Sequence, residues 1–408
     1  MILVSHPVGN QNVRALLLAL YKNNLLHSFH TSIAVNRASL IRSLPRIGNE
    51  FKRRSFDDID HSKLYSYPIY DLLRLVSNKL NLHRLTQRNS GIFSPENVYD
   101  YIDSRTATYL RKSKSKPSHV YGYDGKCKDI FLTAKEIGGI KLIYEAAFGS
   151  ISYVNKILDH ELETNPDWAH STPKLSQRTI QKQTTELELS DQIIVASTFA
   201  KRTLIESSLI DKKIIVIPYG THKVNPKTSQ VNTNKTCIKV MYVGALTQQK
   251  GISYLFEALN IASKTVEIDT TIIGDDYACG KNKTLNLELR KHTWLNTAPH
   301  DKVIAHLLES DILILPSLAE AFGLVVAEAL STGTVVIVSE NCGAADLVKH
   351  DFNGYVVPIR SPEVIANILI NLANDREKLY ALKKNALSTS YENTWDTYAE
   401  GLINVIND

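Results

Sequence analysis

Two carboxylates stand eight residues apart in an apolar, glycine-containing block, and their setting favours binding of a polyol. Glu320 and Glu328 lie in the block 315–333, whose pattern predicts a strand, a loop and a helix. The first N–H groups of such a helix lack intrahelical partners and attract anions such as diphosphate. Gly323 would let the backbone approach that anion closely. Because carboxylates oppose phosphate binding, sugar and ribose hydroxyls are better ligands for both glutamates.

Two further loops carry candidate ligand groups. Residues 243–251 read Val-Gly-Ala-Leu-Thr-Gln-Gln-Lys-Gly and follow an apolar strand, so Lys250 could place its ammonium on a phosphate. His6 and Gly9 lie in the loop after the first strand, where Gly9 could admit a ligand from the opposite wall. Each motif alone also fits a surface turn or a solvated helix. No Gly-x-Gly-x-x-Gly is present, so the chain lacks a dinucleotide fingerprint.

The elements that must position these residues alternate between strand and helix. A strand at 2–4, a helix at 13–26 and a strand at 29–35 open the chain, and residues 36–116 are less regular. The alternation resumes with strands at 119–123, 141–144, 192–195 and 213–217. A polar stretch at 221–236 has the composition of a linker. The alternation then restarts with a strand at 238–243 and includes a strand at 312–315 and a helix at 362–374. The pattern predicts two α/β domains with doubly wound parallel sheets facing a central cleft.

Composition sets the broad class of the protein. The 408 residues suffice for two domains, and 43% apolar with 22% charged residues is ordinary for a globular protein. The four cysteines are far apart and form no Cys-x-x-Cys pair, which favours a reducing compartment over disulfides or zinc. Because neither a signal-peptide pattern nor a long apolar run is visible, we expect a cytoplasmic protein.

Positive charge is concentrated in the first third of the chain. Residues 1–120 contain 18 lysines and arginines against 8 acidic residues. The stretches 37–54 and 72–88 mix these cations with large apolar residues, which suits an anionic membrane surface but also ordinary helices that cover a sheet. An anionic substrate would equally explain the charge. No helix-turn-helix, zinc or RNA-binding signature accompanies it, so we expect no nucleic-acid partner.

Taken in order, these blocks resemble the retaining family-4 glycosyltransferases of the GT-B fold, also described as glycosyl transferases group 1. The resemblance extends over most of the chain and includes further segments, at 190–197, 216–220, 273–275, 342–346, 353–358 and 394–398. It implies a GT-B fold with two Rossmann-like domains. Residues 1–222 and a returning helix at 391–408 would form the acceptor-binding domain. Residues 223–390 would bind the nucleotide-sugar donor.

The resemblance also implies roles for the candidate residues. Glu320 and Lys250 would be catalytic, with Glu320 on the transferred sugar and Lys250 neutralising the departing diphosphate. Glu328 would hold the ribose. The remaining donor contacts would come from Gly9, which faces the diphosphate, and from the N–H groups of Phe322, Gly323 and Leu324. His6 and Glu145 are candidate contacts to the acceptor or the sugar, although Glu145 could equally be a satisfied loop carboxylate.

One departure from the family pattern concerns charge. Ala245 stands where the family usually has an arginine, so one of two expected cations is missing. Either another basic residue replaces it or the diphosphate is stabilised less strongly. No Asp-x-Asp has the surroundings of a metal site, and the acidic run at 57–60 is far from the donor motifs, so we expect no metal or other cofactor.

The predicted function is retaining, hexosyltransferase-type transfer from a UDP- or GDP-sugar to a glycan or lipid-linked acceptor, in cell-surface polysaccharide or glycolipid synthesis. The enzyme would work in the cytoplasm, at the inner face of the membrane if the two basic stretches bind anionic lipid. A non-catalytic sugar-nucleotide-binding scaffold remains an alternative, as does another GT-B enzyme such as an epimerase or phosphorylase. The motifs leave the sugar, the base and the acceptor open.

Overall fold

The computed structural model describes residues 1–35, 54–88, 90–207, 212–222, 224, 237–389 and 393–407. Most of the basic stretch at 37–54 and most of the predicted linker at 221–236 lie outside the described residues, so the domain boundary near residue 222 stays a prediction. We call residues 1–222 the first half and residues 237–389 the second half.

The first half contains a seven-stranded parallel sheet. Its strands are β1 Ile2–Ser5, β2 Leu26–Thr31, β3 Leu64–Ser66, β4 His119–Tyr123, β5 Lys141–Ala146, β6 Gln192–Val195 and β7 Ile214–Val216. They are ordered β3-β2-β1-β4-β5-β6-β7. The register places Val4 beside Phe29 on one side and beside Tyr121 on the other. All three side chains are fully buried, as expected for strands covered on both faces by helices.

Helices connect these strands. They are α1 Gln11–Lys22, α2 Ile69–Lys79, α3 His83–Thr86, α4 Pro95–Lys112, α5 Lys128–Ile137, α6 Ile151–Thr164, α7 Gln177–Leu189 and α8 Thr198–Glu206. Short 3₁₀ turns occur at His61–Lys63 and Pro166–Ser171. Four serines, Ser94, Ser150, Ser176 and Ser197, accept backbone N–H hydrogen bonds as N-caps of α4, α6, α7 and α8.

The second half contains a six-stranded parallel sheet ordered β10-β9-β8-β11-β12-β13. The strands are β8 Ile238–Val243, β9 Ile268–Ile273, β10 Thr293–Leu295, β11 Ile312–Leu315, β12 Val335–Ser339 and β13 Gly354–Val357. The helices are α9 Ile252–Ala262, α10 Lys283–Leu289, α11 His300–Glu309, α12 Leu324–Ser331, α13 Pro362–Asn374 and α14 Arg376–Thr389. Two 3₁₀ turns, Gln248–Lys250 and Gly343–Leu347, lie at strand ends.

The last helix, α15 Trp395–Asn407, packs on the first half. Tyr398, Leu402 and Ile406 are buried in the same apolar cluster as Val13 and Leu16 of α1. Thr221 also forms an isolated bridge with Thr394. The end of the described chain is therefore held against the helix that follows β1.

Several predicted elements are confirmed to the residue, namely the strands at 119–123, 192–195, 238–243 and 312–315 and the helix at 362–374. The helix predicted at 13–26 instead ends at Lys22, because Asn24 has φ of 56°, which stops a right-handed helix. The following strand therefore begins at Leu26 rather than at residue 29. The predicted strand at 141–144 extends to Ala146 and includes Glu145.

The region 36–116 is more regular than the sequence pattern predicts. Its described part contains β3 and the helices α2, α3 and α4. The hydrophobic pattern does not predict the 18-residue helix α4, because the helix is mostly polar and buries Asp103 and Thr106 beside its apolar stripe. Ser94 and Pro95 are ordinary helix-start residues and could have indicated it.

Both sheets direct their strand ends toward the loops that carry the predicted site residues. In a parallel sheet all carboxyl ends meet at one edge, and ligands bind there where the strand order reverses. The reversal lies between β1 and β4 in the first sheet and between β8 and β11 in the second. The loops after β1, β8 and β11 hold Gly9, Lys250 and Glu320 respectively. Among the described residues, no helix has the length and hydropathy needed to cross a bilayer.

Candidate functional site

A cavity of about 240 Å³ lies between the two halves at these strand ends. The first half contributes Ala147, after β5, and Tyr219, after β7. The second half supplies the other lining residues, Val243, Lys250, Leu315, Glu320, Phe322, Gly323, Leu324 and Val325. Five residues predicted for the donor site, Lys250, Glu320, Phe322, Gly323 and Leu324, therefore share one cavity.

The loops after β8 and β11 are held together by their backbones. Leu318 N–H donates to the carbonyl of Gln249 at 2.9 Å, and the Gln249 side chain donates to the carbonyl of Ala319 at 3.0 Å. Gly251 has φ of 70°, and a Cβ there would collide with the carbonyl oxygen of Pro316. Glycine at position 251 is therefore required for the two loops to approach this closely.

That approach joins the two predicted catalytic side chains. The Lys250 ammonium forms an ion pair with the Glu320 carboxylate, and both side chains are mostly buried. Burial lowers the pKa of Lys250 to about 8, because desolvation disfavours the charged amine. The pair thus places a cation whose charge can respond to a ligand beside a carboxylate that can accept hydroxyl hydrogen bonds.

The loop that carries Glu320 is fixed from its other side as well. Glu320 N–H donates to Asn341 at 2.9 Å, and Gly343 and Ala344 donate to the carbonyls of Glu320 and Phe322 at 2.7 and 2.6 Å. Gly323 then turns the chain into α12 with φ of 87°, a left-handed conformation that favours glycine. The N-terminus of α12 opens on the cavity and can receive an anion there.

Glu328 lies on α12 one turn beyond Leu324, and it is not among the residues that line the cavity. Its Oε1 is 2.9 Å from Nε2 of His300, the first residue of α11. Only 14% of the Glu328 side chain is exposed, against 52% for His300. The carboxylate is thus positioned along the same helix as the anion site, and its ribose-binding role remains a prediction.

The first predicted ligand loop has a packing role. A Cβ on Gly9 would lie 2.5 Å from the ring of Phe56, so glycine is needed there to seat that ring. His6 is buried, its Nδ1 accepts the N–H of Val8 at 3.1 Å, and its ring packs edge-on against Tyr123. Burial lowers the pKa of His6 well below its ordinary value, which keeps the ring neutral. Neither Gly9 nor His6 lines the cavity.

Glu145 is a fully hydrogen-bonded buried carboxylate. Asn12 and Tyr219 donate to Oε1 at 2.8 and 2.7 Å, and Tyr121 and Tyr398 donate to Oε2 at 2.6 and 3.2 Å. Burial raises the pKa of Glu145, and the four donors oppose that shift. Both oxygens are occupied by protein donors, and one of these donors, Tyr219, lines the cavity.

Tyr219 is not among the predicted site residues, although it lies in segment 216–220, which is part of the family resemblance. Its ring lines the cavity and packs edge-on against Phe322, with 5.3 Å between ring centroids. Phe322 is buried in an apolar cluster with Ala196 of the first half. An aromatic residue at the carboxyl end of a strand was the available signal, and it gives the donor loop a wall from the opposite half.

The missing family arginine is not replaced within the cavity. Ala245 is exposed, and its carbonyl accepts a hydrogen bond from the Tyr242 hydroxyl at 2.9 Å. Among the described residues that line the cavity, Lys250 is the only lysine or arginine. Across the described chain, no group of three or more His, Cys, Asp or Glu side chains is arranged to hold a metal ion.

Comparison with known proteins relates this chain to glycosyltransferases. Residues 225–389 match the family model of glycosyl transferases group 1. An uncharacterized glycosyltransferase of Methanocaldococcus jannaschii is 31% identical over 172 residues, which cover 41% of this chain and 44% of that protein. The UDP-Gal:alpha-D-GlcNAc-diphosphoundecaprenol alpha-1,3-galactosyltransferase of Escherichia coli is 29% identical over 40% of this chain and 46% of that enzyme. Each match thus spans under half of the relative.

Solved structures resemble the whole chain in fold. Sucrose-phosphate synthase of Thermosynechococcus elongatus aligns with 100% of this chain and 98% of its own, with a TM-score of 0.66 and 16% identity. Anabaena Alr3699/HepE in complex with UDP-glucose aligns with 100% and 99%, with a TM-score of 0.61 and 16% identity. The predicted GT-B fold, with two Rossmann-like parallel-sheet units, is confirmed. Identity this low carries the fold alone.

Proposed function

We propose that this chain is a retaining glycosyltransferase of the family-4 type that moves a sugar from a nucleotide-diphosphate-sugar to a glycan or lipid-linked acceptor without a required metal. One observation carries the proposal: Lys250 pairs with Glu320 in a cavity onto which the N-terminus of α12 also opens. This combination offers a cation and N–H donors for a diphosphate next to a carboxylate for sugar hydroxyls. The match of residues 225–389 to a glycosyltransferase family supports it.

Retention, which the family resemblance implies, sets how transfer would proceed. The bond between the anomeric carbon and the diphosphate oxygen breaks, and the acceptor oxygen bonds to the same face of that carbon. The acceptor's hydroxyl proton passes to the departing diphosphate. Negative charge grows on the diphosphate as it leaves, and Lys250 with the first N–H groups of α12 would stabilise it. Tyr219 and Phe322 would exclude water from the reacting carbon.

The donor and acceptor classes rest on the neighbours. A relative takes its sugar from UDP-Gal, which favours a UDP-sugar over a GDP-sugar as donor. A relative uses a diphosphoundecaprenol-linked acceptor, which supports a lipid-linked acceptor and a role in cell-surface polysaccharide or glycolipid synthesis. Work on the cytoplasmic side of a membrane fits the cysteines, since Cys127, Cys237, Cys279 and Cys342 are all free thiols.

The exposed Ala245 favours a second candidate function, a non-catalytic protein that binds sugar nucleotides. Thermal-shift measurements with UDP, GDP and a panel of their sugars test binding, because a ligand of the folded state raises Tm. Product analysis by mass spectrometry in the presence of EDTA then tests turnover. Binding with release of free UDP or GDP supports the enzyme, and Lys250→Ala and Glu320→Gln should abolish that release. Binding without turnover for any donor and acceptor supports the second candidate. No shift with any nucleotide overturns both.

A further inference from the structure

The helix α2, Ile69–Lys79, exposes its apolar face and buries polar residues. Its apolar stripe has helical spacing and consists of Ile69, Leu72, Leu73 and Val76, continued by Leu80. The exposed fractions of Ile69, Val76 and Leu80 are 56%, 52% and 62%. The buried members of the helix are Asp71 and Ser77. An amphipathic helix on a globular protein ordinarily turns its apolar stripe inward, so this orientation calls for a partner.

The exposed surface continues beyond the helix. Leu82, Leu85 and Ile92, in α3 and the turns around it, are 48%, 37% and 56% exposed. Together with the α2 stripe they form what we call the α2–α3 surface: Ile69, Leu72, Leu73, Val76, Leu80, Leu82, Leu85 and Ile92. Eight large apolar side chains within 24 residues are a clustered patch rather than scattered surface residues.

The α2–α3 surface is mounted rigidly from behind. Asp71 accepts a hydrogen bond from Ser32 at 2.8 Å and one from Arg54 at 3.2 Å. Tyr70 stacks on Tyr101 of α4 with 4.6 Å between ring centroids. The polar and aromatic residues of α2 thus fasten the helix to the first half, which leaves the apolar face directed away from the fold.

The exposed lysines and arginines within residues 64–94 have no exposed acidic residue beside them in that segment. Lys79, Arg84 and Arg88 are exposed beside the apolar residues. Between residues 64 and 94 the sequence holds one acidic residue, Asp71, and that side chain is buried. Apolar residues flanked by exposed cations without exposed acids match the pattern of helices that lie in the interface of an anionic bilayer.

The place of the surface in the fold connects it to the cavity. α2 follows the carboxyl end of β3, the edge strand of the first sheet, and all seven parallel strands end at the side where the cavity lies. The α2–α3 surface therefore begins, at Ile69, on the cleft side of the first half. A bilayer that reaches this end would hold lipid-linked molecules on the same side as the cavity.

We propose that the α2–α3 surface docks the protein on an anionic phospholipid bilayer. The apolar stripe would lie at the boundary between headgroups and acyl chains, and the cations would contact lipid phosphates. This inference goes beyond the proposed glycosyl transfer and rests on different residues. Donor binding and membrane binding can therefore succeed or fail separately.

Vesicle flotation with the full chain tests the proposal. The protein should float with vesicles of phosphatidylcholine and phosphatidylglycerol in 0.1 M salt, and much less with pure phosphatidylcholine or in 1 M salt, where charges are screened within about 3 Å. The triple variant Lys79→Gln, Arg84→Gln, Arg88→Gln should lower the partition coefficient about 100-fold, since each surface cation contributes about fivefold. The triple variant Leu72→Gln, Leu73→Gln, Val76→Gln should abolish flotation.

Matched controls keep these losses specific. Leu132→Gln, Ile205→Gln, Val364→Gln changes three exposed apolar residues elsewhere, and Lys281→Gln, Lys283→Gln, Arg290→Gln changes three exposed cations of the second half. Both controls should float like the original chain, and every variant should keep its Tm and its thermal shift with UDP.

Three results would overturn the proposal. The first is absence of flotation with either vesicle. The second is flotation that is equal with neutral and anionic vesicles and is unchanged in the variant Lys79→Gln, Arg84→Gln, Arg88→Gln. The third is a concentration-dependent dimer in light scattering that the leucine variant dissolves while vesicles fail to bind, which would assign the surface to a second copy of the chain.

Discussion

Glu161 and Arg360 join the two halves of the molecule, with Nε of Arg360 donating to Oε1 of Glu161 at 2.6 Å across 199 positions of sequence. The Glu161 side chain is fully buried. Its second oxygen accepts a hydrogen bond from Gln248 at 2.7 Å. Gln248 belongs to the same 3₁₀ turn as Lys250. The carboxylate of the first half therefore helps to hold the loop that presents the cation of the cavity.

Removing only the arginine should be costly. Arg360→Met leaves a buried carboxylate without its cation, and we expect the free energy of unfolding to fall by about 2–4 kcal/mol, allowing for the partial exposure of Arg360. The double variant with Glu161→Gln removes the uncompensated charge but keeps an acceptor for Gln248, so it should be more stable than Arg360→Met alone. Urea unfolding measures all members of the cycle.

An exposed pair provides the control for that cycle. Arg111 and Glu136 are 2.7 Å apart with side chains 59% and 63% exposed, so Arg111→Met should cost less than about 1 kcal/mol. If the changes at positions 161 and 360 add within about 0.5 kcal/mol, the two residues are energetically independent and the buried link has no role in stability.

The lowered pKa of Lys250 predicts how UDP binding depends on pH. A diphosphate favours the charged ammonium, so affinity is complete below the pKa of about 8 in the free protein and is lost as pH rises through it. Affinity for UDP should fall about tenfold between pH 7 and pH 9, with proton uptake on binding near pH 9. Lys250→Arg stays charged throughout and should show a nearly flat profile. Calorimetry in buffers of different ionisation heat measures both effects, and a flat profile for the original chain would contradict the assignment.

The sequence pattern predicts more of the second half than of the first. Strands such as Ile312–Leu315 are continuous apolar runs bounded by turn residues, and local pattern is enough to locate them and the loops that follow. That places Lys250 and Glu320 at one sheet edge. Their direct pairing depends on Gly251 packing under Pro316, a contact between distant segments that local pattern does not reveal.

Two helices and one candidate residue of the first half differ from the predictions for a different physical reason. α2 turns its apolar face outward and α4 buries Asp103, so hydrophobic periodicity misreads both helices. Glu145 was expected after a strand end, where it could meet a ligand. It lies inside β5, and its four donors come from segments as distant in sequence as Asn12 and Tyr398.

Glu320 and Glu328 should act on different parts of the donor, Glu320 on the sugar and Glu328 on UDP. His300 holds the Glu328 side chain in place along the helix. Because Glu328 is predicted to hold the ribose, Glu328→Gln should weaken binding of UDP itself about tenfold to 100-fold, the loss expected for one charged hydrogen bond. Glu320→Gln should leave UDP affinity within a few fold and suppress transfer of the sugar. Glu309→Gln, at an exposed end of the neighbouring helix α11, is the control and should alter neither. Equal loss of UDP affinity in both glutamate variants would contradict separate roles.

Tyr219 tests whether the Glu145 cluster acts on the donor site or only on stability. Tyr219→Phe removes the hydroxyl that donates to Glu145 but keeps the ring against Phe322, so it should lower the free energy of unfolding by about 1–3 kcal/mol and leave donor KM nearly unchanged. Tyr219→Ala also removes a cavity wall and should raise donor KM as well. Tyr398→Phe is the matched control, because its hydroxyl reaches the same carboxylate at 3.2 Å and its ring does not line the cavity. It should reduce stability alone. A raised KM in Tyr398→Phe would mean that the buried carboxylate itself controls the donor loop, since this variant keeps the ring of residue 398 against Tyr219 and removes only the hydroxyl that donates to Glu145.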